Sequence, residues 1–150
     1  MENLAECLEG LYCPKPQQAY RYFQQALAVS RESNAVFPFL PQFFRMAEDA
    51  NSYIRTRGLL LIIANAKWDE IGQIDDALDS LLKHILDAKP ITSRQFIQAL
   101  PELAAAKPAL AGKVCRALRQ ADVSRYPDSM APLVLKDIRN TLQAIENADA

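Results

Sequence analysis

Apolar residues recur at steps of three and four positions along most of the chain, and this spacing constrains the fold more than any other feature. The segment 71–86 shows it most clearly, with large aliphatic side chains at Ile71, Ile74, Leu78, Leu81, Leu82 and Ile85. Such steps place side chains on one face of an α-helix. Neither the apolar–polar alternation of a strand nor an Asn-Gly or Asp-Gly hairpin turn is present. We therefore predict an all-α fold.

Prolines, glycines and polar turns divide the chain into eight predicted helices. Pro14 and Pro16 separate the first two, and the predicted bounds are 2–12, 16–31, 37–48, 52–66, 72–87, 92–106, 108–120 and 129–147. Ser52 and Ser93 stand where a hydroxyl could cap a helix N-terminus. Pro101 falls inside a helical pattern and removes one backbone hydrogen bond, so we predict a kink near 97–100.

Short connections make neighbouring helices antiparallel, so the helices pair into hairpins. Pairing gives four units of about 30 to 40 residues, 2–31, 37–66, 72–106 and 108–147. One hairpin of this size cannot bury its apolar faces alone, and stacking supplies the missing partner. We therefore predict a single domain, 1–150, built as an α-solenoid.

Charge is nearly balanced, with 17 basic and 18 acidic residues. A sequence-independent nucleic-acid binder would have a strong basic excess. The N-terminal segment contains Glu2, Glu6 and Glu9 but no basic residue, which is unlike a signal peptide. The longest uncharged apolar stretch, 58–66, is half the roughly 18 residues of a membrane span. We expect no membrane association.

The three cysteines, Cys7, Cys13 and Cys115, match no disulfide framework and no metal-binding spacing. The expectation is a cytoplasmic protein with reduced thiols, without a cofactor or a metal. His84 is the only histidine, and we predict that it lies at the edge of a buried face without a special role. Motifs of hydrolases, zinc proteases, nucleotide-binding folds and redox dithiols are also missing from the sequence, so we predict that the protein is not an enzyme.

Segment 39–66 resembles a HEAT repeat. Its matching positions are a proline in the first helix, an Asp in the turn, a branched aliphatic followed by Arg, and a small residue, here Pro41, Asp49, Ile54, Arg55 and Gly58. The third unit follows the pattern less closely, with Asp87 and Arg94. The whole chain is similar to small bacterial HEAT-like proteins. The resemblance implies a right-handed α-α superhelix of about four HEAT-like hairpins. It also implies that the turn Asp and the helix Arg form a ladder of hydrogen bonds between units.

A HEAT-like solenoid presents a concave surface made mainly by the second helix of each hairpin, and such surfaces hold a segment of a protein or peptide partner. We expect this non-enzymatic role here. The polar residues that we predict on that surface are Arg21, Gln24, Arg57, Asn65, Gln95, Gln98 and Glu102.

The alternative is nucleic-acid binding, since some HEAT-like proteins are DNA glycosylases that grip the backbone with a basic face. The sequence offers one modest basic cluster, Lys107, Lys113, Arg116, Arg119 and Arg125, which Asp122 and Asp128 interrupt. A solvated helix face is the simpler interpretation of this cluster. Only Trp68 and Asp69 are similar to the aromatic and acidic residues of those enzymes, and we predict that Trp68 packs beneath a turn.

Overall fold

The computed structural model describes residues 3–148, and every regular element in that range is helical. Eight α-helices are present in these residues: α1 Leu4–Glu9, α2 Pro16–Glu32, α3 Leu40–Met46, α4 Ser52–Ala64, α5 Gln73–Leu82, α6 Pro90–Ala106, α7 Ala111–Gln120 and α8 Ala131–Ala148. Short 3-10 turns adjoin them at Gly10–Tyr12, Phe37–Phe39, Ala66–Trp68, Lys83–Leu86, Pro108–Leu110 and Val123–Arg125. The prediction of an all-α fold is confirmed.

The chain divides into two compact units, Met1–Glu70 and Ile71–Ala150. Each contains four of the α-helices, so each corresponds to two of the predicted hairpins. The single domain 1–150 stays a prediction. The two units are described separately below.

In the first unit, α4 is the central helix because it packs against both α2 and α3. Leu59, Leu61, Ile62 and Ile63 are all buried, which is typical of a helix covered on more than one side. Gly58 allows α3 to approach closely, since a Cβ atom there would lie 2.6 Å from the Met46 Cβ. The missing side chain of Gly58 therefore permits the close packing of α3 on α4.

In the second unit, α6 and α8 form the most extensive contact, and α7 packs against α8. Pro101 lies within α6 and has no backbone N–H to donate to the Ile97 carbonyl one turn earlier. Thr141 of α8 replaces that donor, because its buried hydroxyl donates to the Ile97 carbonyl over 2.9 Å. The proline thus releases an acceptor that helps to hold α8. The predicted kink itself stays a prediction.

Neither predicted serine cap is observed. Asn51 caps α4, accepting from the backbone N–H of Tyr53 at 2.8 Å and of Ile54 at 3.3 Å. Ser93 lies in the first turn of α6, which begins at Pro90. Its hydroxyl is buried and donates to the Ile85 carbonyl over 2.5 Å, so it ties α6 to the preceding turn rather than to its own N-terminus.

Candidate functional site

Three of the predicted surface residues lie on α6, and the structure exposes all of them. Gln95, Gln98 and Glu102 are solvent-accessible and separated by three and four positions, so they share one side of the helix. The prediction that this side of α6 is polar and accessible is consistent with the structure. Whether a partner contacts it stays a prediction.

A cleft of about 330 Å³ lies between α6 and α8, and Gln98 is part of its wall. We call it the α6–α8 groove; its lining residues are Gln98, Pro101, Asp137, Asn140, Thr141 and Ala144. Every one of these residues belongs to the second unit. Among these lining residues, Gln98 is the one that the sequence predicted on the binding surface; Pro101 was predicted only as a kink, and the α8 wall was not predicted.

Two interhelical hydrogen bonds define how the walls align. Arg94 Nε donates to Asp137 Oδ2 over 2.6 Å, and the Thr141 hydroxyl donates to the Ile97 carbonyl. Both bonds advance in the same direction along the two helices, so α6 and α8 run parallel. Ile91, three residues before Arg94, is 63 % exposed. Leu133, four residues before Asp137, is 39 % exposed, so each helix has an exposed apolar residue about one turn before this ion pair.

The groove is polar, yet the one carboxylate among its described lining residues is neutralised internally. Asp137 is buried, and its hydrogen bond with the Arg94 guanidinium raises the pKa of Arg94 despite the opposing effect of burial. Gln98 and Asn140 face the cleft from opposite helices. Among residues 3–148 neither amide makes a side-chain hydrogen bond. The groove therefore offers amide donors and acceptors, which suit a polar, uncharged group such as a peptide backbone.

Arg94 departs from the predicted ladder because its partner is Asp137 of α8 and not the turn residue Asp87. Asp87 instead contacts the Nδ1 atom of His84 at 2.8 Å and accepts from the Lys89 backbone N–H. Arg94 thus bonds to a helix Asp of the following hairpin and not to a turn Asp, and a ladder through Asp87 stays a prediction.

In the first unit, Arg55 Nη1 donates to the backbone carbonyls of Asp49 and Ala50, at 3.0 and 3.1 Å. It therefore closes the turn of its own hairpin. A ladder to a neighbouring hairpin through Arg55 stays a prediction.

The predicted surface residues of the first unit have different environments. Arg21 and Gln24 are exposed on α2. Arg57 is half-buried, and its Nη1 donates to the Leu11 carbonyl over 2.8 Å, which fixes α4 to the Gly10–Tyr12 turn. Burial lowers the pKa of Arg57, and the nearby Cys13 acts in the opposite direction. Arg57 therefore has a structural role that a freely exposed arginine would lack.

The prediction that Asn65 lies on the binding surface is wrong. Its side chain is fully buried and cannot contact a partner. Its Nδ2 donates to the Leu61 carbonyl at 2.8 Å and to the Ser30 hydroxyl of α2 at 3.0 Å. Trp68 Nε1 donates to the Ser30 carbonyl over 2.7 Å, so the half-buried indole closes the same corner. Both side chains join α4 and its following turn to the C-terminal end of α2. The role of Trp68 is consistent with the predicted packing at a turn.

The basic cluster has acidic neighbours that the sequence did not reveal. Lys107 pairs with Asp75 at 2.6 Å, and Lys113 lies 3.8 Å from Asp79. Arg119 pairs with Glu146, and Arg125 donates to the Leu86 carbonyl. Three of the five basic residues thus have an acidic partner within the second unit, which favours the interpretation as a solvated face.

His84 is buried rather than placed at the edge of a face, so that prediction is wrong. Its ring contacts Asp87 and packs edge-on against Phe96 at 6.2 Å between centroids. The 3-10 turn Lys83–Leu86 rotates the side chain inward, away from the direction that a continuous α-helix would give it. Residues 3–148 contain no group of three His, Cys, Asp or Glu side chains that could hold a metal ion.

No helix within the described residues has both the length and the hydropathy needed to cross a membrane. In comparisons with known proteins, no family model, no curated protein and no solved structure matches the chain. The interpretation of the candidate site therefore depends on the geometry of the described residues.

Proposed function

We propose that the protein is a non-enzymatic binding module that holds an extended segment of a protein partner in the α6–α8 groove. The observation that carries this proposal is the pair of amides, Gln98 and Asn140, which face one cleft from two parallel helices without an internal hydrogen bond among the described residues. A side-chain amide carries a donor and an acceptor, as a peptide unit does. Two such groups can satisfy the backbone of an extended segment.

The length of the groove fits this ligand. On α8 its lining residues run from Asp137 to Ala144, seven positions apart, which corresponds to about 10 Å along the helix axis. An extended peptide covers that distance with about three residues. A segment that continues beyond the groove toward Ile91 and Leu133 would contact apolar side chains there, while the part within the groove would meet the amides. We therefore expect a preference for an aliphatic side chain at one end of the bound segment.

We further propose the finer architecture, a short right-handed solenoid of HEAT-like hairpins in a cytoplasmic protein of bacterial type. The pattern of helix contacts supports it, because α2 packs against α4 and α6 packs against α8. These are the contacts that stacking of successive hairpins through their second helices requires. Gly58 at the tight α3–α4 approach also occupies the small position of the repeat that segment 39–66 resembles.

Protein binding is favoured over nucleic-acid binding by charge. The groove contains one carboxylate that is paired with Arg94, and the basic cluster on and near α7 is largely paired with acidic residues. Phosphate backbones need a surplus of accessible cations. No described feature of the groove supplies one.

The test is a selection of short random peptides that bind the full chain, followed by affinity measurements on variants. We expect selected peptides to bind the Gln98→Ala/Asn140→Ala double variant at least tenfold more weakly than the unaltered protein, with the thermal midpoint nearly unchanged. Gln120→Ala, an exposed amide at the end of α7, is the matched control. Equal affinity for the double variant, or a selection without any binder, would contradict the proposal.

A further inference from the structure

A second cleft, of about 350 Å³, lies wholly within the first unit between the α1 region and the start of α3. Its walls are formed by Ala5, Leu8, Glu9, Tyr12, Phe39 and Gln42. Leu8 is buried and gives the cleft an apolar wall, whereas Tyr12 is 42 % exposed and Phe39 is half-buried. The cleft therefore combines two accessible aromatic rings with an aliphatic surface.

Its available polar groups are acceptors. The Gln42 side-chain nitrogen already donates to the Leu8 carbonyl at 3.3 Å, which leaves the amide oxygen without a donor in the described structure. Glu9 is exposed and forms no ion pair or side-chain hydrogen bond within residues 3–148. A carboxylate and an amide oxygen beside two aromatic rings attract a donor-rich cation.

The N-terminal segment around the cleft is acidic. Between residues 3 and 14 the chain has two acidic residues, Glu6 and Glu9, and no basic residue. None of the described residues that line the cleft is basic. Arg57 of α4 approaches this segment, because it donates to the Leu11 carbonyl, but it forms no ion pair with Glu9. A cation that enters the cleft thus meets a carboxylate without an ion-pair partner among residues 3–148, unlike the Asp137 carboxylate of the α6–α8 groove.

We propose that this cleft binds the side chain of an arginine from a peptide segment of a partner protein. A guanidinium can form paired hydrogen bonds with the Glu9 carboxylate while its plane stacks on Tyr12 or Phe39. Its aliphatic stem can cover Leu8 and Ala5. A lysine ammonium would match the charge but would lose the planar stacking and the paired geometry. The site is independent of the α6–α8 groove, since its residues belong to the other unit.

The experiment is a titration of the ¹⁵N-labelled full chain with the blocked peptide acetyl-Gly-Ala-Arg-Ala-Gly-amide, followed by amide chemical shifts. We expect shifts concentrated in residues 5–12 and 39–42. The same peptide with citrulline in place of arginine keeps the shape but lacks the charge, and we expect at least tenfold weaker binding. The lysine peptide is expected to lie between the two.

Glu9→Gln is the diagnostic variant, and Glu6→Gln is its matched control, because Glu6 is exposed on the same helix but does not line the cleft. We expect Glu9→Gln to lower the affinity for the arginine peptide at least fivefold, and Glu6→Gln to change that affinity less than twofold. Tyr12→Leu provides a second test that changes no charge. We expect it to reduce the ratio between the affinity for the arginine peptide and the affinity for the lysine peptide. Equal binding of the citrulline peptide, equal effects of the two glutamate variants, or shifts spread over the whole surface would each overturn the proposal.

Discussion

The α2–α4 contact of the first unit and the α6–α8 contact of the second use side-chain amides in opposite ways. At the first contact, Asn65 is fully buried and its Nδ2 is consumed by Ser30 and Leu61. At the second, a buried threonine and a carboxylate make the interhelical bonds, and the amides of Gln98 and Asn140 remain in the cleft. The difference shows that an amide on the second helix of a hairpin, or directly after it, can be either a structural link or a binding group. The role that an amide has depends on the hydrogen-bonding groups that the neighbouring helix supplies.

The largest expected effect comes from making the same amide-to-acid change in both contacts. Asn65→Asp removes the donor to the Leu61 carbonyl and places a carboxylate where the side chain is fully buried. We expect a loss of about 3 kcal/mol or more in the free energy of unfolding, because an unpaired charge is costly in the interior. Urea denaturation at neutral pH followed by circular dichroism measures it.

Gln98→Glu is the matched change at the α6–α8 groove, where the side chain is exposed. Its expected effect on the free energy of unfolding is within about 0.5 kcal/mol. If the two variants are destabilised equally, the contrast between a structural and an available amide is wrong.

A smaller effect is expected from the bond between Thr141 and the Ile97 carbonyl. Thr141→Val keeps the shape of the side chain but removes the hydroxyl, which should cost about 1 kcal/mol of stability. In a Pro101→Ala background the restored backbone N–H can satisfy the same carbonyl. In that background we therefore expect Thr141→Val to lower the free energy of unfolding by clearly less. A double-mutant cycle measured by urea denaturation gives the difference.

Additive effects of Thr141→Val and Pro101→Ala would show that the proline and the threonine act separately. Ser30→Ala gives the corresponding measurement in the first unit. The Ser30 hydroxyl connects Asn65 to the Ala26 carbonyl without any proline involved. No coupling to Pro101 is expected for it.

Helix number and helix bounds could be predicted because they depend on local periodicity and on proline and glycine chemistry. The first α-helix begins at Leu4 and the last ends at Ala148 in the described residues, close to the predicted 2 and 147. Positions with one dominant local cause are therefore readable from the sequence.

Asn65 and the α8 wall could not be predicted in the same way. The helical position of Asn65 is compatible with either surface or interior, and only the nearby Ser30 of α2 decides it. Asp137 and Thr141 interrupt the apolar stripe of α8 that includes Val134 and Ile138. Polar residues in such a stripe were the available signal for a polar contact with another helix. Their partners, Arg94 and the carbonyl released by Pro101, come from a helix about 40 residues earlier.

The last comparison concerns two aromatic side chains that each donate to a backbone carbonyl. In the first unit Trp68 donates to Ser30, and an indole does not ionise in the accessible pH range. In the second unit the Tyr126 hydroxyl donates to the Asp87 carbonyl over 2.6 Å, and burial raises the pKa of Tyr126 above its ordinary value of 10.0. The raised pKa means that the unfolded state loses its proton first. This contribution to stability is therefore complete below about pH 10 and is lost as the pH rises through the raised value.

We accordingly expect the urea midpoint to decline above about pH 10, and to decline less in Tyr126→Phe, which cannot ionise at that position. At neutral pH the same variant should be less stable by about 1 kcal/mol because the hydrogen bond to Asp87 is missing. Tyr53→Phe, at an exposed position of the first unit, is the control and should follow the unaltered protein at neutral pH. If the urea midpoint declines equally above about pH 10 in the unaltered protein and in Tyr126→Phe, ionisation of Tyr126 does not contribute to the alkaline loss of stability. The contrast with Trp68 of the first unit would then be wrong.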